Sequence, residues 1–323
     1  MTFAITASGF FDSVGTFFSD LADVRPVPLL IALGFLGLSL TIRSRAYLNV
    51  LRAAFPGVPI QWRRIWGAYV AGYGFNSVVP ARGGDVIKLF LVRGSVPGSS
   101  YPAVASSFLV EAVFDFSIGI PVLAYAFTQG VFPHPPDFAS LNSFDIAWVA
   151  GNPRPSVFIF TAICVLLLGL FAFLSVRVKA FWARVRQGIE ILFEPKRYLT
   201  QVWLVQFLGW LSRSACYWFM LEAFGLQASL RNVLLLLGCN AVATLVPFTP
   251  GGAGVQQALI VKVFETAGPV AVVAAFSVGQ QVAMAAFSFA LGFAALVIIF
   301  GHRSFGEVRR AGMRDRAAEA DEY

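Results

Sequence analysis

The chain has 323 residues, of which 58% are hydrophobic and 13% charged, with a mean hydropathy of +0.74 and a net charge of +7. That balance excludes a water-soluble globule, and the unbroken apolar runs exclude the alternating pattern of a membrane β-barrel, leaving an all-α, polytopic membrane protein. The excess of Lys and Arg reads as the bias of cytoplasmic loops and implies no nucleic-acid partner. Cys164, Cys216 and Cys239 lie in apolar segments and His134 and His302 in loops. No disulfide framework, metal site or cofactor is therefore expected.

Residues 1–25 carry no basic leader, and Phe10, Phe11, Val14, Phe17, Phe18 and Leu21 recur at helical spacing. They predict an interfacial helix lying on the membrane. The transmembrane domain is expected over 26–300 and a cytoplasmic tail over 301–323. Val27 to Ile42 reads as the first span, and Arg43, Arg45, Arg52, Arg63 and Arg64 as a cytoplasmic loop, which puts the N-terminus outside.

From about Ile65 the chain re-enters the membrane, breaks at Pro80 to Gly84 and resumes from Asp85 to Leu91. Neither arm has the roughly 20 residues of a full span, so the pattern predicts a re-entrant hairpin whose tip faces an interior cavity. Ala103 to Phe127 is a full span carrying Glu111 and Asp115 on one face. At 1.5 Å per residue they lie about 12 and 18 Å in, bracketing the middle of the apolar layer. The segment from Gln129 to Pro155 suits an external loop, Val157 to Val176 a linker span, and the basic cluster from Arg177 to Arg197 a second cytoplasmic loop.

Val202 to Leu221 crosses again with Arg213 about 16 Å deep. An intramembrane arginine must face the interior and find a partner. Val233 to Val246 and Val255 to Phe264 form a second pair of short arms around a Pro and Gly break, and Val270 to Phe300 is the last span, with Gln280 and Gln281 near mid-depth. The arginines after it put the C-terminus in the cytoplasm.

The two halves repeat one series: a span, a hairpin with Val-Pro followed by Gly-Gly, then a span with polar residues at mid-depth. Pro80 precedes Glu111 by about as many residues as Pro247 precedes Gln280. An odd number of crossings separates the halves, so the pattern is an inverted repeat: repeat 1 about 27–128, the linker span 157–176, and repeat 2 about 202–300, with two re-entrant broken-helix hairpins and about five full spans. Gly/Pro-interrupted segments at matching positions of two halves mark a transporter site at their interface.

The candidate substrate-binding residues are Arg82, Asp85, Lys88, Glu111, Asp115, Arg213, Asn76, Gln256, Gln257 and Gln280, with Lys88 and also Lys262 expected at shallower depth. Helix N-termini at the breaks add a positive dipole end suited to phosphate. Asp85 suits the N-cap of its arm. Glu111 and Asp115 could serve as counter-ions to Arg82 and Arg213, or one of them could carry a proton.

The stretches Gly74-Phe75-Asn76-Ser77-Val78-Val79-Pro80-Ala81-Arg82-Gly83-Gly84-Asp85-Val86-Ile87-Lys88, Val110-Glu111-Ala112-Val113-Phe114-Asp115 and Val246-Pro247-Phe248-Thr249-Pro250-Gly251-Gly252-Ala253-Gly254-Val255-Gln256-Gln257 resemble one family. It is the flippase-like transmembrane domain of lysylphosphatidylglycerol synthases and their free-standing relatives. Ala81 stands where that pattern has glycine, Asp85 where it has glutamate and Ala112 where it has arginine, and the glutamate often seen near Gln256 is absent. The resemblance implies lipid translocation in the synthase-fused members, and a free-standing member here. The expected function is movement of an anionic phospholipid or polyprenyl-phosphate head group across the cytoplasmic membrane, with membrane lipids as partners and no catalysis. The alternatives are an integral membrane lipid-modifying enzyme and a non-catalytic assembly subunit.

Overall fold

The computed structural model describes residues 24–79, 82–130, 181–243, 254–265 and 268–301, and among them every regular element is helical. Helix α1 (Pro26–Ala54) starts on an extended Arg25 with proline in its first turn. Proline suits that position because its missing N–H would be unpaired anyway. The helix stops before Pro56-Gly57, where Gly57 takes φ +80°. It therefore runs well past Ile42, and Arg43, Arg45 and Arg52, expected in a loop, lie within it. The reason is that a basic cluster signals the membrane boundary but does not break a helix.

Helices α2 (Trp62–Asn76) and α3 (Gly83–Arg93) form the first pair of short arms, and α4 (Tyr101–Thr128) follows an extended Ser100 with Pro102 in its first turn. Residues 181–188 are helical, and a 3₁₀ turn (Glu190–Phe193) and a helical turn (Pro195–Tyr198) follow. A π turn (Leu199–Trp203) then leads straight into α5 (Leu204–Ala223). Helices α6 (Leu230–Ala243) and α7 (Val255–Val263) are the second short pair, and α8 (Val270–Phe300) has the expected bounds, ending at a left-handed Gly301. The expected interfacial helix, external loop, linker span, second break and cytoplasmic tail lie outside the described residues, apart from their edges.

Three described helices, α1, α4 and α8, are long and apolar enough to cross a membrane. At 28 to 31 residues each they are about 42 to 46 Å long, more than the roughly 30 Å apolar layer. The arms α2, α3, α6 and α7 have 15, 11, 14 and 9 residues, or about 13 to 22 Å, and none reaches that thickness alone. Leu30, Phe116, Ile120 and Ile298 are exposed on these long helices. In water such a surface would drive aggregation, whereas lipid tails solvate it.

Small residues set the helix crossings, as expected where no hydrophobic effect drives helix against helix. On the α1–α5 contact the Ser39 hydroxyl donates to the Gly209 carbonyl (2.7 Å) and the Ser212 hydroxyl to the Phe35 carbonyl (2.9 Å). On the α2–α8 contact a methyl group at Gly74 would collide with the Ser288 carbonyl, and one at Gly292 with that of Val70. Within the first pair, Gly84 lies against the Gly72 carbonyl. Two apolar cores result: one gathers the C-terminal half of α1 with α2, α3 and the start of α4, and the other the start of α1 with α5, α6, α7 and the first half of α8. Tyr73 packs against both.

Candidate functional site

A cavity of about 400 Å3 opens between the two cores, and every helix from α1 to α8 contributes to its wall. Nine of the ten candidate residues line it: Asn76, Arg82, Asp85, Lys88, Glu111, Asp115, Arg213, Gln256 and Gln280. Gln257 lies just behind, its side-chain amide donating to Gln281, which does line the cavity. Lys262 is outside it, exposed and paired with Glu265 at 2.7 Å.

The charges pair differently from the expectation. Glu111 binds Lys88, and both are 7% exposed. The Lys88 ammonium also sits 4.0 Å from the ring centre of Tyr47 and 4.4 Å from those of Tyr69 and Phe108. Three aromatic faces and one carboxylate thus enclose it, which stabilises a desolvated cation. Asp115 pairs at 2.6 Å with Arg43, whose Nε donates to Gln206 at 2.8 Å. Neither acidic side chain is a counter-ion to Arg213 or Arg82, because the helix crossings bring other cations closer.

Among the described residues Arg213 has only neutral partners. Its guanidinium donates to the Tyr73 hydroxyl at 2.8 Å and the Tyr217 hydroxyl at 3.1 Å. Tyr217 also accepts from Asn240 (3.0 Å), which in turn accepts from Gln256 (2.5 Å). A polar chain therefore runs from the first turn of α7 to an arginine whose charge no carboxylate balances.

Arg82 is exposed on the cavity wall, and no hydrogen bond or ion pair reaches its guanidinium among the described residues. Its backbone is left-handed, φ 55° and ψ 37°. For a residue with a Cβ that conformation costs roughly 1 to 2 kcal/mol, and strain of this kind gathers at functional sites. Arg82 is itself the residue that precedes the first turn of α3, so Asp85 is not the cap but lies within that turn. Its carboxylate accepts from Asn76 at 2.8 Å, tying the two arms together. Asn240 and Gln256 make the matching tie between α6 and α7.

Gln280 lines the cavity with 0% exposure and with neither its amide nitrogen nor its oxygen hydrogen-bonded among the described residues. An unpaired buried polar group costs about 1 to 3 kcal/mol, so a ligand that completes it gains directly. On the turn before α5, burial and the Asp115 carboxylate push the Tyr198 phenol up to about 12.

Sequence reasoning missed Arg43, Tyr69, Tyr73, Tyr217 and Asn240. Two were within reach: Arg43 continues the buried stripe Leu36, Leu40, Tyr47 at helical spacing, and Tyr217 lies one turn after Arg213 on the same face. The tyrosines of α2 carry no such signal.

Residues 3–292 match the family described as the lysylphosphatidylglycerol synthase TM region. The chain belongs to this family. It is thus a membrane protein with a lipid-related function, and the family matched is the one that the sequence resembled. No curated protein matches the chain.

Proposed function

We propose that this protein is a flippase of the cytoplasmic membrane, moving an anionic lipid or polyprenyl-phosphate head group between leaflets through the cavity. Arg213 carries this reading: a midplane cation held by two phenols and by no carboxylate. An arginine at mid-depth in a membrane costs roughly 2.5 to 3.5 kcal/mol, and a passing phosphate would offset that cost while bound. Arg82 offers a second guanidinium without a carboxylate partner among the described residues on the same wall, and the first turns of α3 and α7 bring helix N-termini to it.

In this reading α2–α3 and α6–α7 are re-entrant hairpins of an inverted repeat, the first opening to the cytoplasm and the second outside, with the N-terminus outside and the C-terminus cytoplasmic. The short arms and the matching Asn76–Asp85 and Asn240–Gln256 ties support the pairing of the halves. In this reading the protein acts as a translocator, with Glu111 and Asp115 serving as counter-ions in the wall, a role that their ion pairs with Lys88 and Arg43 support. The test is leaflet exchange of a fluorescent anionic lipid and its zwitterionic counterpart in proteoliposomes. Arg213→Gln should slow anionic exchange by about 10- to 100-fold, the value of a charge-assisted contact. Wild-type exchange by the folded variant would overturn the reading.

A further inference from the structure

The cavity carries more than charge, and the balance of its groups limits which head group it can hold. Four cations line it, Arg43, Lys88, Arg82 and Arg213, against three carboxylates, Asp85, Glu111 and Asp115. Glu111 and Asp115 are each in an ion pair, and Asp85 is tied to Asn76 at the positive end of α3. Among the described residues Arg82 and Arg213 have no carboxylate partner and Asp85 has only a neutral one, so the wall keeps one net positive charge, which favours a phosphate over an ammonium group. The rest of the polar wall is uncharged: Gln280, with both ends of its amide unpaired, and the amides of Asn240, Gln256 and Gln281. A primary amide offers a donor and an acceptor together, which matches a hydroxyl that needs both.

We propose that Gln280 reads the hydroxyls of an uncharged polyol, glycerol or a sugar, attached to the phosphate held by Arg82 and Arg213. The substrate class is then a phosphodiester lipid with a neutral hydroxylated head. A lipid aminoacylated with lysine, the product for which the family is named, carries two ammonium groups on one phosphate and is disfavoured by the net positive wall. This inference rests on the flippase reading and refines its substrate.

The test compares binding of phosphatidylglycerol with phosphatidylethanol, which has the same charge and no hydroxyl, and with lysylphosphatidylglycerol. The full chain is titrated in detergent with each lipid and the bound fraction read by native mass spectrometry. The wild type should prefer phosphatidylglycerol over phosphatidylethanol by about fivefold, the value of one neutral hydrogen bond, and bind lysylphosphatidylglycerol more weakly still. Gln280→Leu should lower phosphatidylglycerol to the level of phosphatidylethanol. Gln280→Glu, which keeps the side-chain volume and removes the donor, should weaken both anionic lipids. An unchanged preference in both variants, or lysylphosphatidylglycerol binding as tightly as phosphatidylglycerol, would overturn the inference. So would competition by soluble glycerol 3-phosphate as strong as that by the lipid. None of these outcomes touches the flippase reading, which fails only if Arg213→Gln leaves anionic exchange intact.

Discussion

Lys88 and Glu111 offer the sharpest test of how the cavity is held together. Both are 7% exposed, they pair with each other, and three aromatic rings close over the ammonium. Removing one partner of a buried pair leaves an uncompensated charge and costs about 3 to 5 kcal/mol, while replacing both with apolar groups is close to neutral. The rings make the two single variants unequal. In Glu111→Gln the ammonium keeps its three aromatic faces, each worth roughly 0.5 to 2 kcal/mol. In Lys88→Met the buried carboxylate loses its cation, and an aromatic face, being negative, cannot replace it. Lys88→Met should therefore be the worse, with a fall in Tm of roughly 10 °C, Glu111→Gln should fall by about half as much, and the double variant Lys88→Met with Glu111→Leu should return to within about 1 kcal/mol of wild type. Tryptophan fluorescence during thermal unfolding in detergent reads all three. A double variant as unstable as Lys88→Met, or a ranking with Glu111→Gln the worse, would refute the reasoning.

Arg82→Gly should relieve the left-handed strain and raise stability by about 1 kcal/mol while lowering anionic lipid exchange, so melting and transport should move in opposite directions. Gly74→Ala drives a methyl group into the Ser288 carbonyl on α8 and should cost roughly 1 to 3 kcal/mol in the same melting assay. Asp115→Asn should shift stability by less than about 1 kcal/mol, because the carboxylate is 55% exposed and its pair is screened. Arg43→Met should shift it more, since it also strips Gln206, itself buried, of its hydrogen bond.

The sequence alone determined the class and named nine of the residues that line the cavity. Charged and amide side chains are conspicuous in apolar segments because hydrocarbon tolerates them only on an interior wall, so Arg82, Lys88, Glu111, Asp115, Arg213 and Gln280 could be named before any helix was placed. The first break, between Asn76 and Gly83, was equally legible, since proline and glycine act locally on the backbone. Pairing was not legible. Which cation meets Glu111 depends on how closely α2 approaches α3 and α8, and that approach is set by Gly72, Gly84, Gly74 and Gly292, whose partners lie on other helices. Only the tertiary structure could therefore give Glu111 to Lys88, Asp115 to an arginine that looked like part of a loop, and Arg213 to two tyrosines. The uncompensated charge behind the proposed function comes from that arrangement, because a net charge in a cavity is a sum over side chains that sequence distance does not relate.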